Sequence, residues 1–222
     1  MVIAILLTQG TALTLVDVSQ MIDDLLPMLN AKTIADLSIA TEDQLYEFAD
    51  EAVQRLSRRV ALFVERDATL TISGGVSTLS VPTRHLSSIH AAWDSDGAGL
   101  FQPLRSSSVN ELEALDSAWQ TAAGDPERFT HDQEGHATVR VDKTPAGNTG
   151  LVLIFHQYHD TIDSSNITFN APTPLGDYLL WSILAEVRGT DDDEAMPEVA
   201  EYARGRVELF ESIFESYWGR AQ

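Results

Sequence analysis

Apolar positions along the chain recur first with a helical period, then with the period of a strand, then with a helical period again. Met21, Ile22, Leu25, Leu26 and Leu29 form one stripe, and Asp17 and Gln20 stand at capping-box spacing. This predicts a first helix over Val18 to Leu29, kinked or shortened by Pro27. A second helix is marked by Thr41 with Gln44 three residues on. Its apolar run of Leu45, Phe48, Ala52, Leu56, Val60 and Phe63 carries it to about Glu65. Acids at its start and arginines in its second half suit the helix dipole.

Alternation then takes over. Leu70 and Ile72, and after Gly74-Gly75 the residues Val76, Leu79 and Val81, predict a hairpin. A third strand runs from Leu86 to Trp93, and a short piece near Leu100 to Leu104 pairs back. Ser108 and Glu111 cap a short helix whose core side is Leu112, Leu115 and Trp119. Two further strands span Ala137 to Val141 and Gly150 to Tyr158. Pro174 then opens a helix apolar on more than one face, with Gly189 just past its end, and Pro197 opens the last. Helices, then strands, then helices predict an α+β fold: a helical bundle from N- and C-terminal helices with a central antiparallel β-sheet or hairpin region. The organisation expected is an N-terminal docking segment and first helix over 1–40, then one domain over 41–222. In that domain the strand region covers about 68–158 and the C-terminal helices about 174–218.

Charge changes the picture more than composition does. The 222 residues hold 34 acids against 14 Lys and Arg, a net charge of −20. Such a field repels nucleic acid, whose binding rests on Lys and Arg displacing counterions. It suits a surface past which DNA slides without sticking; colloidal solubility is the plainer account. The chain has no Cys, which excludes disulfides and thiolate metal sites. The opening MVIAILLTQGTALTL lacks a basic region and is too short to cross a bilayer, so it reads as a buried or partner-docked segment.

Candidates for chemistry are few. His156, His159 and Asp160 are the one metal-like cluster, and they would serve a metal-dependent hydrolase. In an extended chain, however, residues three apart point to opposite faces. Asp191 to Glu194 lacks the alternating ligands and turn glycine of a calcium loop. Serines abound without a Gly-x-Ser-x-Gly elbow, and the enzyme reading has no positive support. Arg55, Arg58 and Arg59 share a helix side and suit an acidic partner surface, or pairing with the chain's own acids. Tyr217 and Trp218, near the end of the chain, suit an interface anchor or a cap on the protein's own helices.

Three pieces carry a resemblance. They are a helix ending in RVALFVERDA followed at once by a strand, a hairpin closing on Val81-Pro82 with a strand through Ile89 to Trp93, and the segment ELEALDSAW…GDPERF between Glu111 and Phe129. In this order, from about Glu42 to the C-terminus, the chain resembles the head–tail adaptor (connector or neck) proteins of tailed bacteriophages. The resemblance implies a virion structural protein, assembled in the host cytoplasm, that forms a homo-oligomeric ring, usually twelve-fold, beneath the portal. Its implied partners are the portal protein, a tail or second connector protein and further copies of itself, with DNA passing through the channel without specific binding. It brings no catalytic residue, no cofactor and no membrane.

The contact residues expected on this reading are Val2, Ile3, Ile5 and Leu6 in the N-terminal segment, Arg55, Arg58 and Arg59, and Tyr217 and Trp218. The helical part is expected near the portal, and the strand part against neighbouring subunits or the next ring. The rivals are a tail-completion or tail-terminator virion protein, the metal-dependent hydrolase of His156, His159 and Asp160, and a host-encoded acidic binding module.

Overall fold

The computed structural model describes residues 13–37, 41–94, 99–131, 138–189 and 196–219. The chain divides into two units, a helical one holding the residues up to Val60 and those from His159, and a strand one over Ala61–Tyr158.

The helical unit opens on a strand, β1 (Leu13–Asp17). Asp17 then caps α1 (Val18–Leu25) by accepting from the Gln20 backbone N–H at 3.2 Å. Pro27 cannot donate an α-helical hydrogen bond, so the stripe continues as a 3-10 turn over Leu26–Leu29 and closes on left-handed Asn30. α2 (Glu42–Arg59) begins in the expected capping box of Thr41 and Gln44. It stops earlier than its apolar period suggests: Val60 is its extended C-cap. Val60 and Phe63 keep helical spacing in sequence, yet Phe63 already belongs to the strand ladder, accepting from the Gln157 N–H at 3.0 Å.

Strand β9 (Thr168–Pro172) pairs antiparallel with β1, a two-stranded ribbon that alternation in the sequence did not mark. It leads into α4 (Pro174–Gly189), which has Pro174 at its first position and Gly189 as its last residue. Tyr178, Leu179, Ile183 and Leu184 are all buried there, which explains a helix apolar on more than one face: α1, α2 and α5 (Pro197–Trp218) all pack on it.

The strand unit contains β2 (Val64–Ile72), β3 (Thr78–Ser80), β4 (His85–Asp94), β5 (Phe101–Ser106), β6 (Arg128–His131), β7 (Thr138–Val141) and β8 (Thr149–Gln157). They form one seven-stranded sheet in the order β2-β8-β4-β5-β6-β7-β3. Every pairing is antiparallel except β5 with β6, which is parallel. The end strands β2 and β3 are consecutive in sequence and lie against each other, so the sheet curls into a nearly closed barrel. At their turn Gly75 has φ +80°, and a Cβ on Gly74 would sit 2.8 Å from the Ala146 carbonyl oxygen. Inward side chains from most of the strands fill the interior, among them Ile72, Trp93, Leu104, Phe129, Leu153 and Phe155.

This overturns the expected fold class. The strand region is not a central hairpin or antiparallel sheet within a helical bundle; it is a mixed, nearly closed barrel with its own core. The missing piece was β6, four residues reading RFTH, too short and too polar to show alternation. The crossover that makes it parallel to β5 is α3 (Val109–Leu115) with the 3-10 turn Trp119–Thr121, the same stretch that carries the resemblance. Ser108 and Glu111 form its capping box as expected. Trp119 is buried beneath the Arg140 guanidinium, 5.0 Å from its ring centre, and Arg140 also donates to the Gln120 carbonyl at 3.0 Å. Asp142 Oδ1 accepts from the backbone N–H groups of Glu127 and Arg128 at 2.9 and 3.1 Å, which aims the chain into β6.

Candidate functional site

Arg55 and Arg59 both point from α2 to carboxylates of the chain itself. Arg59 holds Glu211 through Nη1 and Glu215 at 2.9 Å through Nη2. Arg55 Nε lies 3.7 Å from Glu211, and its Nη1 is 4.0 Å from Glu186 of α4. Glu211 is only 5% exposed, so it is the fixed centre of the cluster, and the arginines are half-exposed arms around it. The Tyr178 hydroxyl completes the cluster, donating to the Ala52 carbonyl at 3.2 Å with Glu211 Oε1 at 3.4 Å. Burial pushes the Tyr178 phenol up in pKa, against the pull of Arg55. Arg58 lies exposed beside them. The basic patch is therefore largely an internal clamp between α2 and α5, with its outer surface open to solvent.

At the end of α5, Trp218 is half-buried against Phe214, ring centres 5.3 Å apart, and Tyr217 is 71% exposed. Trp218 thus caps its own helix packing, and Tyr217, its ring centre 5.9 Å from that of Trp218, stands exposed. Val2, Ile3, Ile5 and Leu6 lie outside the described residues, as does the acidic run Asp191 to Glu194.

The cluster His156, His159 and Asp160 does not fall within one unit. His156 sits on β8 opposite Val64 and Ser87 in the strand unit. His159 belongs to the helical unit, its ring centre 4.1 Å from that of Phe169 and its Nδ1 against the Asp160 carbonyl. Among the described residues no group of three or more His, Cys, Asp or Glu is placed to hold a metal ion.

A different histidine group, which the sequence did not mark, lies across β4, β6 and β8. His85 is 9% exposed, its ring centre 5.5 Å from that of His131 and 5.2 Å from that of Phe155. Its Nε2 is 2.9 Å from the Ser88 hydroxyl. The Ser88 backbone N–H donates to His131 Nε2 at 3.0 Å, which requires that nitrogen to be unprotonated. Burial, with His131 and His156 beside it, pulls His85 down to about 4, and burial also lowers His156. The β4–β8 register slips twice here, between His85 and Ser87 and between Ser88 and His90. His85 and His131 hold this irregular strand in place as neutral hydrogen-bonding groups. They come from distant parts of the chain, and no local spacing could have joined them.

Two further surfaces expose apolar side chains. On β1, Leu13 and Leu15 are 65% and 66% exposed. On α5, Tyr202, Arg206, Leu209, Ile213 and Tyr217 follow one another at three- and four-residue steps along one side. Of these, Tyr202, Leu209 and Tyr217 are exposed. Tyr202 meets Trp181 edge-on at 5.6 Å, and Arg206 lies over the rings of Trp181 and Phe210. Among the described residues no helix is long and apolar enough to cross a membrane.

Compared with known proteins, residues 16–221 match the family model described as SU10 adaptor protein. The match begins well before Glu42, so it takes in the end of β1 and all of α1 as well as the pieces that carried the resemblance. No curated protein matches the chain.

Proposed function

This chain belongs to the SU10 adaptor protein family, and from that premise we propose that it forms a ring beneath the portal and joins the DNA-filled head of a phage to its tail. The family membership bears out the resemblance to head–tail adaptors and makes the chain a phage adaptor-type structural protein, a component of the virion. The observation that carries the finer proposal is the family match over nearly the whole chain, both units included.

In this reading the protein works by surface complementarity. The helical unit meets the portal, and the strand unit reaches the next ring toward the tail. Tyr217 and the N-terminal residues Val2, Ile3, Ile5 and Leu6 supply apolar contacts. Arg55, Arg58 and Arg59 supply a cationic patch, stiffened because Glu211 holds two of them. A net charge of −20 per subunit, repeated round a ring, repels the DNA backbone and lets it pass without sticking.

Electron microscopy of the intact particle tests this. Density that fits the chain as a closed ring between portal and tail is the expected result. Density for the chain at the tail tip, or within the tail alone, would overturn it. The same map gives the sign of the lumen, and a basic lumen would remove the electrostatic part.

A further inference from the structure

We propose that neighbouring copies of this chain meet head-to-tail, the exposed face of the β1–β9 ribbon of one copy seated on the outer side of α5 of the next. The inference rests on the ring reading and names the contact that the ring would use.

A subunit of net charge −20 repels its own copies, so the surfaces through which they touch must be the ones that carry little charge. Residues 1–16 hold no Asp, Glu, Lys, Arg or His, and β1 lies at the end of that stretch. The antiparallel register places Leu13 and Leu15 on the same face as Asn170 and Thr168 of β9. All four are exposed, and of the residues on this face only Asp17, at the strand's end, is charged.

The α5 side has the complementary character. Tyr202, Leu209 and Tyr217 stand exposed along it, with Arg206 and Trp181 adjoining, and Tyr, Trp and Arg are the residue types that dominate binding energy at interfaces. Glu198 stands one turn before Tyr202 on the same side, and Glu201 and Glu208 run beside the stripe round the helix, all exposed. Two α5 helices brought face to face would set these acids against each other, and like charges in register are destabilising. A ribbon face whose only charge is Asp17 at one end meets little such opposition. Two different patches that fit each other but not themselves are what a heterologous contact needs, and such contacts build a ring when the rotation between copies closes.

The chain contains no Cys, so a single introduced thiol is the only one it carries. Leu15→Cys and Leu209→Cys change exposed positions outside the core. Particles assembled from equal amounts of the two variants are treated with a short bis-maleimide, and the chain is followed on a denaturing gel. Covalent dimers of the 24.4 kDa chain in the mixture, and none in particles made from either variant alone, are the expected result. Dimers from one variant alone would mean like faces in contact and would overturn the proposal. So would an absence of dimers in particles whose micrographs show the ring. Micrographs without a ring would instead remove the reading on which the proposal stands, and the contact with it.

Discussion

The helical unit holds its buried Glu211 with arginines, whereas the strand unit keeps buried His85 uncharged and meets its buried Asp142 carboxylate with backbone N–H groups. In the first, Glu211 is shielded from water and answered by Arg55, Arg59 and the Tyr178 hydroxyl, so the carboxylate is retained by partners. In the second, His85 lies among His131, His156 and Phe155, and burial keeps it uncharged. The cost of burying an ionisable group is met by ion pairing at Glu211 and by neutrality at His85. The two units should therefore fail under different stresses: the strand unit in acid, and the α2–α5 clamp when its charges are altered or screened.

The largest expected effect tests whether each unit stands on its own core. Phe155 is fully buried in the barrel interior, and Phe155→Ala should cost about 3–5 kcal/mol, through lost burial and the cavity left behind. Hydrogen exchange should report that loss in the amides of β2 to β8. Equal acceleration in α2, α4 and α5 would mean that the units unfold as one.

Acid sharpens the contrast. His85 titrates near 4 when folded against 6.5 ordinarily, so as pH falls the unfolded chain takes up the proton first. The strand unit should be fully stabilised above about pH 6.5, lose on the order of 2 kcal/mol as pH falls toward 4, and level off below. Denaturant melts at pH 7, 6 and 5 measure this, and His85→Gln should flatten the dependence. An unchanged slope in the variant would place the acid sensitivity elsewhere.

The smallest effect belongs to the clamp. Glu211→Gln keeps a hydrogen-bond acceptor for Arg59 but removes the charge, and should cost about 1 kcal/mol. The penalty should shrink in high salt, since both arginines are half-exposed and their attraction is screened. A loss independent of salt would show that shape, not charge, holds α5 on α2.

Long amphipathic segments were legible without the structure. Capping boxes at Thr41 and Ser108 and the Asp17 cap lie where the spacing put them, because a cap is a contact between residues three apart. The alternation of β2 was legible for the same local reason, and β4 and β8 were read as strands from their apolar runs. The resemblance was readable too, since order and spacing are properties of the chain. Short polar strands were not. β6 and β9 exist because neighbours pair with them, and nothing in RFTH or TFNAP announces that pairing.

The sequence by itself determined the helices, their caps, the excess of negative charge and the family, because these follow from near neighbours or from simple counting. Only the tertiary structure decided that the strands close into a barrel, that Arg55 and Arg59 clasp Glu211, and that His85 meets His131. Each joins residues far apart in the chain, and which of many possible partners a residue meets is settled by the burial of the whole core.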